Sequence, residues 1–432
     1  MVTAQKLKPE NLEEAVVWYA LRYTLLFYFT GVLYVVAPVI GWGLLLLLFI
    51  YWFEGKNNIV VPPGVWFWAV SMIVMLVALF AGHFNFELGL GKTIKSTFGW
   101  AKGWALLAVF PFLACLDIRP ELITRAIMQL CKQCLFLIPL VLLFPYIGIP
   151  GELFTSPLKF VADENFFHVR FYGLNPEGAP RWQLFTPWAP ALGLVGNIYF
   201  ALSLYEKNVR YKWIGIIAAI LMVLISQSRM GLLCLLLLPF LRWGLSKLTK
   251  VWVILLLAVA APVAGILYVP TVEVVDNTLS AIHSARAASS RVRGTLASIA
   301  IYRWKTEAPI FGHGIVEDGP HLVEYMPIGS HHSWYGLLFV KGVIGFIALL
   351  IPMLFTLLVA LLKVQSNPRA APALQIILIL FMYSLTENLE TLVYLYWPGL
   401  IVLGLMHKEG WSLADLKRKV LQQNSTPVMV PH

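Results

Sequence analysis

The chain has 432 residues, of which 59% are hydrophobic and only 12% are charged, and its formal net charge is +10. Soluble domains carry about a quarter charged residues, so this composition excludes a soluble globular protein. The apolar residues recur along the whole chain in runs of about 15 to 25, the length that a helix needs to cross a bilayer, which also excludes a single anchor. The sequence therefore predicts an all-α, polytopic integral membrane protein.

About twelve transmembrane helices are predicted where apolar runs are separated by proline, glycine or charged residues. Their approximate bounds are 21–37, 39–53, 64–82, 97–116, 126–147, 186–205, 213–227, 229–242, 251–268, 333–363, 373–387 and 391–406. Pro38 is expected to separate the first two spans as a hairpin, because proline cannot donate the helical hydrogen bond. The seventh and eighth spans meet at a polar turn, Ser226-Gln227-Ser228-Arg229, which can lie at membrane depth only if it faces a cavity.

Basic residues are concentrated in the short loops on the same side as the N-terminus, which predicts that both termini are cytoplasmic. Residues 148–185 and 269–332 then form two long periplasmic segments within a single polytopic domain, 1–432. Residues 407–432 form a cytoplasmic tail, in which Ser412 and Asp415 have the spacing of a helix-capping box. The positive charge is explained by this loop bias, so no nucleic-acid partner is predicted, and no removable signal peptide is expected.

Two adjacent histidines, His331 and His332, stand where the second long segment enters a spanning helix. Histidine titrates near neutral pH, so a pair at a helix start beside the membrane surface suits proton transfer. On spacing alone a structural role, bridging the loop to lipid headgroups, stays open. Metal binding together with His313 and His321 is not supported by any regular ligand spacing, and no metal site is predicted.

Six arginines lie on the predicted outer side or at its membrane edge, where short loops disfavour positive charge. They are Arg170, Arg181, Arg229, Arg291, Arg293 and Arg303. Guanidinium groups bind phosphate oxygens in bidentate fashion and keep their charge, so the group predicts an anionic lipid-linked ligand such as a diphosphate. Arg229 is the leading candidate because a charge within the membrane needs a cavity or a partner, whereas Arg303 is expected to be a solvated helix-face residue.

These residues resemble the bacterial O-antigen ligase and O-antigen polymerase superfamily of membrane glycosyltransferases. In that family a Ser-His and a polar residue precede a span with glycines eleven and fourteen positions after the histidine, as in Ser330-His331-His332, Gly342 and Gly345. Upstream, Arg293 and Pro309-Ile-Phe-Gly-His-Gly314 resemble the family's arginine, helix and Pro-hydrophobic-Phe-Gly-x-Gly arrangement. The turn at 226–229 matches a Ser-x-Ser-Arg turn, and Arg170-Phe-Tyr-Gly173 resembles an Arg-Phe-x-Gly; the resemblance covers roughly residues 165 to 405.

The resemblance implies a GT-C-like, metal-independent, inverting glycosyltransferase that needs no cofactor. Its donor is a glycan on an undecaprenyl diphosphate carrier at the periplasmic face of the bacterial inner membrane. Arg229, Arg293 and one of Arg170 or Arg181, with Arg291 nearby, would bind the diphosphate. His331 or His332 would accept the proton of the acceptor hydroxyl.

The resemblance leaves the acceptor open. A polymerase joins lipid-linked repeats into O antigen or exopolysaccharide, with a chain-length regulator as a further partner, whereas a ligase transfers the glycan to lipid A core, forming lipopolysaccharide, or to a protein. The run from Gly329 to Leu338 favours the polymerase. A flippase for lipid-linked sugars is the alternative from another class; its charges should line a central cavity, whereas those of this chain cluster at one face.

Overall fold

A computed structural model of the chain describes residues 7–55, 59–174, 178–250, 253, 255, 287–329 and 331–409. Within these ranges six helices are long and apolar enough to cross a membrane: Leu33–Phe53, Pro63–Asn85, Pro120–Ile147, Val209–Ser226, Ser333–Ser366 and Leu389–Lys408. Two shorter apolar helices are Ala189–Ser203 and Pro368–Ser384. The chain is thus a multi-pass helical membrane protein, while twelve spans and two cytoplasmic termini stay predictions. The expected span at 251–268 lies outside the described residues, except for residues 253 and 255. The expected tail helix from Gly410 lies wholly outside them.

The described helices follow one another along the chain with two small sheets between the seventh and the eighth. They are α1 (Leu12–Arg22), α2 (Thr24–Phe29), α3 (Leu33–Phe53), α4 (Pro63–Asn85), α5 (Gly89–Lys102), α6 (Leu106–Leu113), α7 (Pro120–Leu143), α8 (Ala189–Ser203), α9 (Val209–Ser226), α10 (Arg229–Leu245), α11 (Ala287–Glu307), α12 (Ser333–Ser366), α13 (Ala371–Ser384) and α14 (Leu389–Lys408). The strands are β1 (Glu152–Thr155), β2 (His168–Arg170), β3 (Tyr172–Leu174) and β4 (Pro180–Trp182), paired antiparallel as β1 with β2 and β3 with β4.

The predicted hairpin at Pro38 is wrong, because Pro38 lies inside α3. The chain turns earlier, between α2 and α3, where Gly31 has a φ of 71° and packs against Ser156 of the first long segment. A proline removes one helical hydrogen bond, which a membrane helix tolerates when its neighbours satisfy the freed carbonyl. A glycine in the left-handed conformation, in contrast, ends the helix.

Ion pairs gather the predicted inner loops at one end of the helix bundle, called here the basic end. Arg119, just before α7, donates to Glu14 of α1 at 2.7 Å, and Arg125 donates to Glu206, just after α8, at 2.6 Å. At the opposite end, called the histidine end, α8, α10, α12 and α14 begin. The elements that carry the candidate residues therefore meet at the histidine end of the bundle. The motifs alone did not establish this.

The longest helix, α12, is broken at Gly342, whose φ of 62° and ψ of −164° belong to a region that essentially only glycine adopts. The break frees backbone groups that the helix would otherwise satisfy, and the segment from Pro309 to Gly314 pairs with them. Val343 N–H donates to the Pro309 carbonyl at 3.0 Å, while His313 and Gly314 donate to the Phe339 and Val340 carbonyls at 2.9 Å. The part of the second long segment from Pro309 to Gly314 thus forms hydrogen bonds with the helix at the break.

Glycines allow this close approach of three backbones. A Cβ on Gly342 would overlap the Ile310 carbonyl, and a Cβ on Gly312 would overlap the amide nitrogen of Lys341. A Cβ on Gly82 of α4 would lie 3.0 Å from the Gly314 nitrogen. The spacing of glycines in the family-like motif therefore marks the contact between α4, the 309–314 segment and α12.

We predict that Gly342→Ala destabilises the folded protein. The backbone conformation alone costs a non-glycine residue about 1–3 kcal/mol, and the overlap with Ile310 adds to this. Gly43→Ala is the matched control, because Gly43 lies in α3 with open space around it, where alanine favours the helix. Thermal unfolding of the two variants in detergent should show a lower midpoint for Gly342→Ala only; equal midpoints would contradict the role of the break.

Candidate functional site

The start of α12 is fastened to the turn between α13 and α14. Ser333 Oγ donates to the Glu387 carbonyl at 2.8 Å and accepts from the Leu389 amide at 3.0 Å. One residue on, the Trp334 indole donates to Ser384 Oγ at 2.9 Å. These contacts fix the position of the two histidines that immediately precede α12 relative to α14.

The two histidines have different surroundings. His332 is the N-cap residue of α12: its Nδ1 accepts from the Tyr335 amide at 3.4 Å, and its ring stacks on Tyr335 with centroids 3.9 Å apart. This contact assigns the proton of neutral His332 to Nε2. His331 instead faces Arg293, and burial, reinforced by the Arg293 charge, lowers the pKa of His331 to about 4. Ser330 lies outside the described residues.

Glu387, in the turn between α13 and α14, is a buried carboxylate that the motif analysis missed. It is 4% exposed, and its Oε2 accepts from the Trp188 indole at the start of α8 at 2.9 Å. Burial raises the pKa of Glu387 to about 7, and the charges of Arg293 and Arg181 oppose this rise. Glu387 therefore lies where two candidate arginines act on one group.

A signal for Glu387 was present in the sequence. It is one of only two acidic residues between Asn367 and Met406, the other being Glu390. An ionisable residue between two spans at membrane depth indicates function by default, because the bilayer makes it costly. Neither residue belongs to a motif with a family counterpart, which is why the comparison of patterns passed over them.

The polar turn between α9 and α10 is built from its own side chains. Gln227 adopts a left-handed conformation with φ 50°, and Ser228 Oγ caps α10 by accepting from the Gly231 amide at 3.1 Å. From α8, the buried Asn197 amide donates to the carbonyls of Gly193 at 2.8 Å and Gly231 at 2.9 Å. Arg229 is the first residue of α10, at the positive end of the helix dipole.

The structure separates the two arginines of the first long segment. Arg181 in β4 donates to the Ser226 carbonyl of the polar turn at 3.2 Å, and its charge reaches Glu387. Arg170 in β2 instead forms an ion pair with Glu152 of β1, and its backbone amide donates to the Tyr28 hydroxyl. Of this pair, Arg181 is the one that lies beside the turn.

Helix α11 carries the remaining candidates. Arg291 and Arg293 are exposed, and Arg293 acts on both His331 and Glu387. The expectation for Arg303 is wrong, because it pairs with Glu307 and Glu317 and lies over the Phe339 ring. Arg303 thus helps to dock α11 on α12, which brings Arg293 to the histidines.

Other polar residues fall into two groups. His313 is 1% exposed and bridges Glu307, at 2.8 Å, to the Phe339 carbonyl, at 3.0 Å, which gives it a structural position in the 309–314 segment. Two buried oxygens, Gln183 Oε1 and Thr386 Oγ1, have no hydrogen-bond partner in the described part of the chain. Gln183 follows Arg181 by two positions, and Thr386 directly precedes Glu387. An amide oxygen and a hydroxyl group without partners therefore stand next to these two candidate residues in the chain.

The fold and the site together define a multi-pass helical membrane protein with cationic side chains and a histidine collected at one end. Residues 194–350 match a family model described as O-Antigen ligase. With the motifs it encloses, this match supports the resemblance of the chain to the O-antigen ligase and polymerase superfamily, whose members are glycosyltransferase-like enzymes. No curated protein matches the chain. The matched range includes the polar turn, Arg293 and both histidines, but neither Arg181 nor Glu387.

We predict that Asn197→Ala loosens the polar turn. Removing this amide leaves two buried carbonyls with one partner fewer, which costs about 1–3 kcal/mol. Asn165→Ala is the control, because Asn165 is exposed and, among the described residues, its side-chain amide bonds only to Asp163 in its own turn. Hydrogen exchange of residues 226–231 should speed up in Asn197→Ala and not in Asn165→Ala; unchanged exchange in both would refute the role of Asn197.

Proposed function

We propose that the protein transfers a glycan from an undecaprenyl diphosphate carrier to an acceptor hydroxyl at the periplasmic face of the bacterial inner membrane. The observation that carries the proposal is the convergence of His331, Arg293, Arg181 and Glu387 at the end of the bundle where the turn with Arg229 lies. The loop charges support a periplasmic position for that end. This arrangement offers a base and several fixed cations to one ligand.

In this proposal the diphosphate lies between α11 and the polar turn. Arg229, Arg293 and Arg181 would bind its oxygens, with Arg291 at the rim, and the N-terminus of α10 would add its partial positive charge. These charges stabilise the transition state because negative charge grows on the diphosphate as the glycosidic bond breaks. Arg170 has its own partner in Glu152 and is left out of the set.

The reaction needs one bond to form and one to break at the anomeric carbon. The acceptor oxygen attacks that carbon while the bond to the diphosphate oxygen breaks, and its electron pair leaves with the carrier diphosphate. The acceptor proton moves to a nitrogen of neutral His331, and attack opposite the leaving group inverts the configuration. A histidine with a lowered pKa is a weak base, which suits a late transfer, when the hydroxyl has become acidic by bonding to carbon.

His331 is the better candidate for the base because Nδ1 of His332 is occupied by the helix cap. Among the described residues His331 makes no such contact, and it lies within the field of Arg293. A metal has no part in this scheme, since the arginines supply the positive charge.

We propose that the acceptor is a second lipid-linked repeat, which makes the protein an O-antigen or exopolysaccharide polymerase. The sequence from Gly329 to Leu338 supports this choice. The description of the matched family supports the alternative, a ligase that transfers the glycan to lipid A core or to a protein. Against a flippase, the candidate charges lie at one end of the bundle.

We predict that His331→Ala abolishes glycan transfer, while His332→Asn, which keeps a capping side chain, retains most of it. Loss of a catalytic base typically lowers the rate by about 10²–10⁴. Transfer would be followed by gel analysis of the glycan formed in membranes from cells that carry each variant, normalised to the amount of membrane-inserted protein. Full transfer by His331→Ala would overturn the assignment of the base.

We predict an unusual pH dependence. A lowered pKa keeps His331 neutral, and able to accept a proton, until the pH falls towards about 4, whereas an ordinary histidine loses this form below about 6.5. Glu387 titrates near 7 in the same site, and Glu390 is a second carboxylate close to it, so the effects of both are removed with the double variant Glu387→Gln/Glu390→Gln. In that variant kcat/KM should stay constant from about pH 8 to about pH 6. A fall of kcat/KM to half its value near pH 6.5 would contradict the prediction. The wild-type profile should also show the change in kcat/KM that titration of Glu387 causes.

A further inference from the structure

A second polar cluster lies on the other side of the α13–α14 turn, beside helix α5. It consists of His83 near the end of α4, Lys102 at the end of α5, Lys341 in α12 and Glu390 at the start of α14. The charges of these groups act on one another: Lys341 and Lys102 on Glu390, and Lys341 on His83. We call these four residues the Lys341 cluster.

Two members of the Lys341 cluster are buried without full hydrogen bonding. Lys341 is 4% exposed, and its amine makes no hydrogen bond or ion pair with the described residues. His83 is 3% exposed; its Nδ1 faces Thr93 at 3.1 Å, while no described residue meets Nε2 with hydrogen-bond geometry, although the Gly314 backbone lies near it. Burying a polar nitrogen without a hydrogen-bond partner costs free energy, unless a ligand supplies the partner.

Glu390 reaches the cluster through a gap that glycine provides. A Cβ on Gly103 would lie 2.5 Å from Glu390 Cγ and 3.0 Å from Oε1, so a larger residue would displace the carboxylate. The carboxylate also faces the Trp104 indole, and Glu390 is only half-buried. The cluster therefore has one side that opens outwards.

Aromatic rings connect the Lys341 cluster with the catalytic end. Lys102 lies over the Tyr34 ring, which stacks on Phe166 with centroids 4.6 Å apart. Phe166 in turn contacts Trp188 at 5.8 Å, and Trp188 donates to Glu387. A series of aromatic contacts thus connects the cluster with the proposed site of transfer.

These groups suit a hydroxyl-rich ligand. A carboxylate accepts hydrogen bonds from hydroxyls, an ammonium group donates to them, and an imidazole nitrogen can do either. Aromatic faces pack against the apolar faces of a ring, and pockets of this kind bind through many apolar contacts with a few placed polar groups. A lipid tail would leave the amine of Lys341 and the carboxylate of Glu390 without partners.

We propose that the Lys341 cluster is the subsite for the acceptor saccharide, with Glu390 and Lys341 as the groups that bind its hydroxyls. This proposal rests on the proposed function. Ser333 and Lys341 are separated by about 12 Å along α12, so an acceptor chain of a few sugar units held at the cluster would present its terminal hydroxyl to His331. The diphosphate side and the acceptor side would then be divided by the turn with Glu387 and by the start of α14 with Glu390.

Binding of a glycan that can act only as acceptor tests this subsite directly. Mild acid releases the oligosaccharide repeat from its lipid diphosphate, and likewise releases core oligosaccharide from lipid A; neither product can be a donor. Each radiolabelled glycan would be titrated by equilibrium dialysis against wild type, Glu390→Gln, Lys341→Met and the control Lys159→Met in lipid nanodiscs. Lys159 is an exposed lysine paired only with Glu164 among the described residues.

Glu390→Gln and Lys341→Met should each weaken binding at least tenfold, and Lys159→Met should not. Equal binding by all four proteins, or no binding of either glycan by wild type, would overturn the subsite. The glycan that binds identifies the acceptor: the repeat for a polymerase, the core for a ligase. Because His331→Ala should bind either one normally yet fail in transfer, failure of the subsite and failure of the proposed function give different results.

A second measurement covers the case in which Lys341→Met does not fold. The four native cysteines are buried, so a water-soluble maleimide should label Glu390→Cys and leave wild type unlabelled. The released glycan that binds wild type, added at a concentration far enough above its dissociation constant to occupy the site without the Glu390 carboxylate, should slow this labelling at least several-fold. Labelling that the glycan leaves unchanged would refute its binding at Glu390.

Discussion

The break in α12 at Gly342 is the constraint on which the rest of the structure depends. A helix that opens in a membrane exposes amide and carbonyl groups that lipid cannot satisfy, so another part of the chain must pair with them. The Pro309–Gly314 segment does this through hydrogen bonds on both sides of the break. Because that segment directly follows α11, the same pairing docks α11 over the start of α12. Arg293 thus lies near His331 because the backbone groups freed at the break must form hydrogen bonds.

A short turn between α13 and α14 organises the histidine end in a second way. It presents Glu387 towards the arginines and Trp188, and the start of α14, which follows it, presents Glu390 towards the lysines and Trp104. Its backbone also holds the start of α12 through Ser333. A buried carboxylate, Glu387, and a half-buried one, Glu390, face different cationic groups and give the site two sides. This division is the physical basis for assigning separate places to donor and acceptor.

Much of this arrangement was predictable from local patterns. The apolar runs indicated six described helices that are long enough to span a membrane, whereas the predicted span at 97–116 is divided between α5 and α6. The polar residues at 226–229 indicated a turn, which the structure builds with Gln227 in a left-handed conformation. The glycines at 312, 314 and 342 belonged to the family-like motifs, but their role in close backbone contact appeared only in the structure. The Pro38 hairpin failed because one missing hydrogen bond is a weak signal beside the turn at Gly31. Glu387 and Glu390 were passed over since no motif contains them, and Arg303 was taken for a solvated residue although its partners are only 4 and 14 positions away.

The sequence by itself determined the class of protein, since helices of sufficient length and hydropathy are a property of continuous segments. It also indicated the family, through motifs whose residues are close in the chain. Only the tertiary structure decided which arginine of the first segment lies beside the polar turn, and which histidine caps a helix and which faces Arg293. Those choices depend on contacts between residues tens to hundreds of positions apart, such as Arg181 with Ser226 and Trp188 with Glu387. No local pattern specifies such pairs, because they form only when the helices pack.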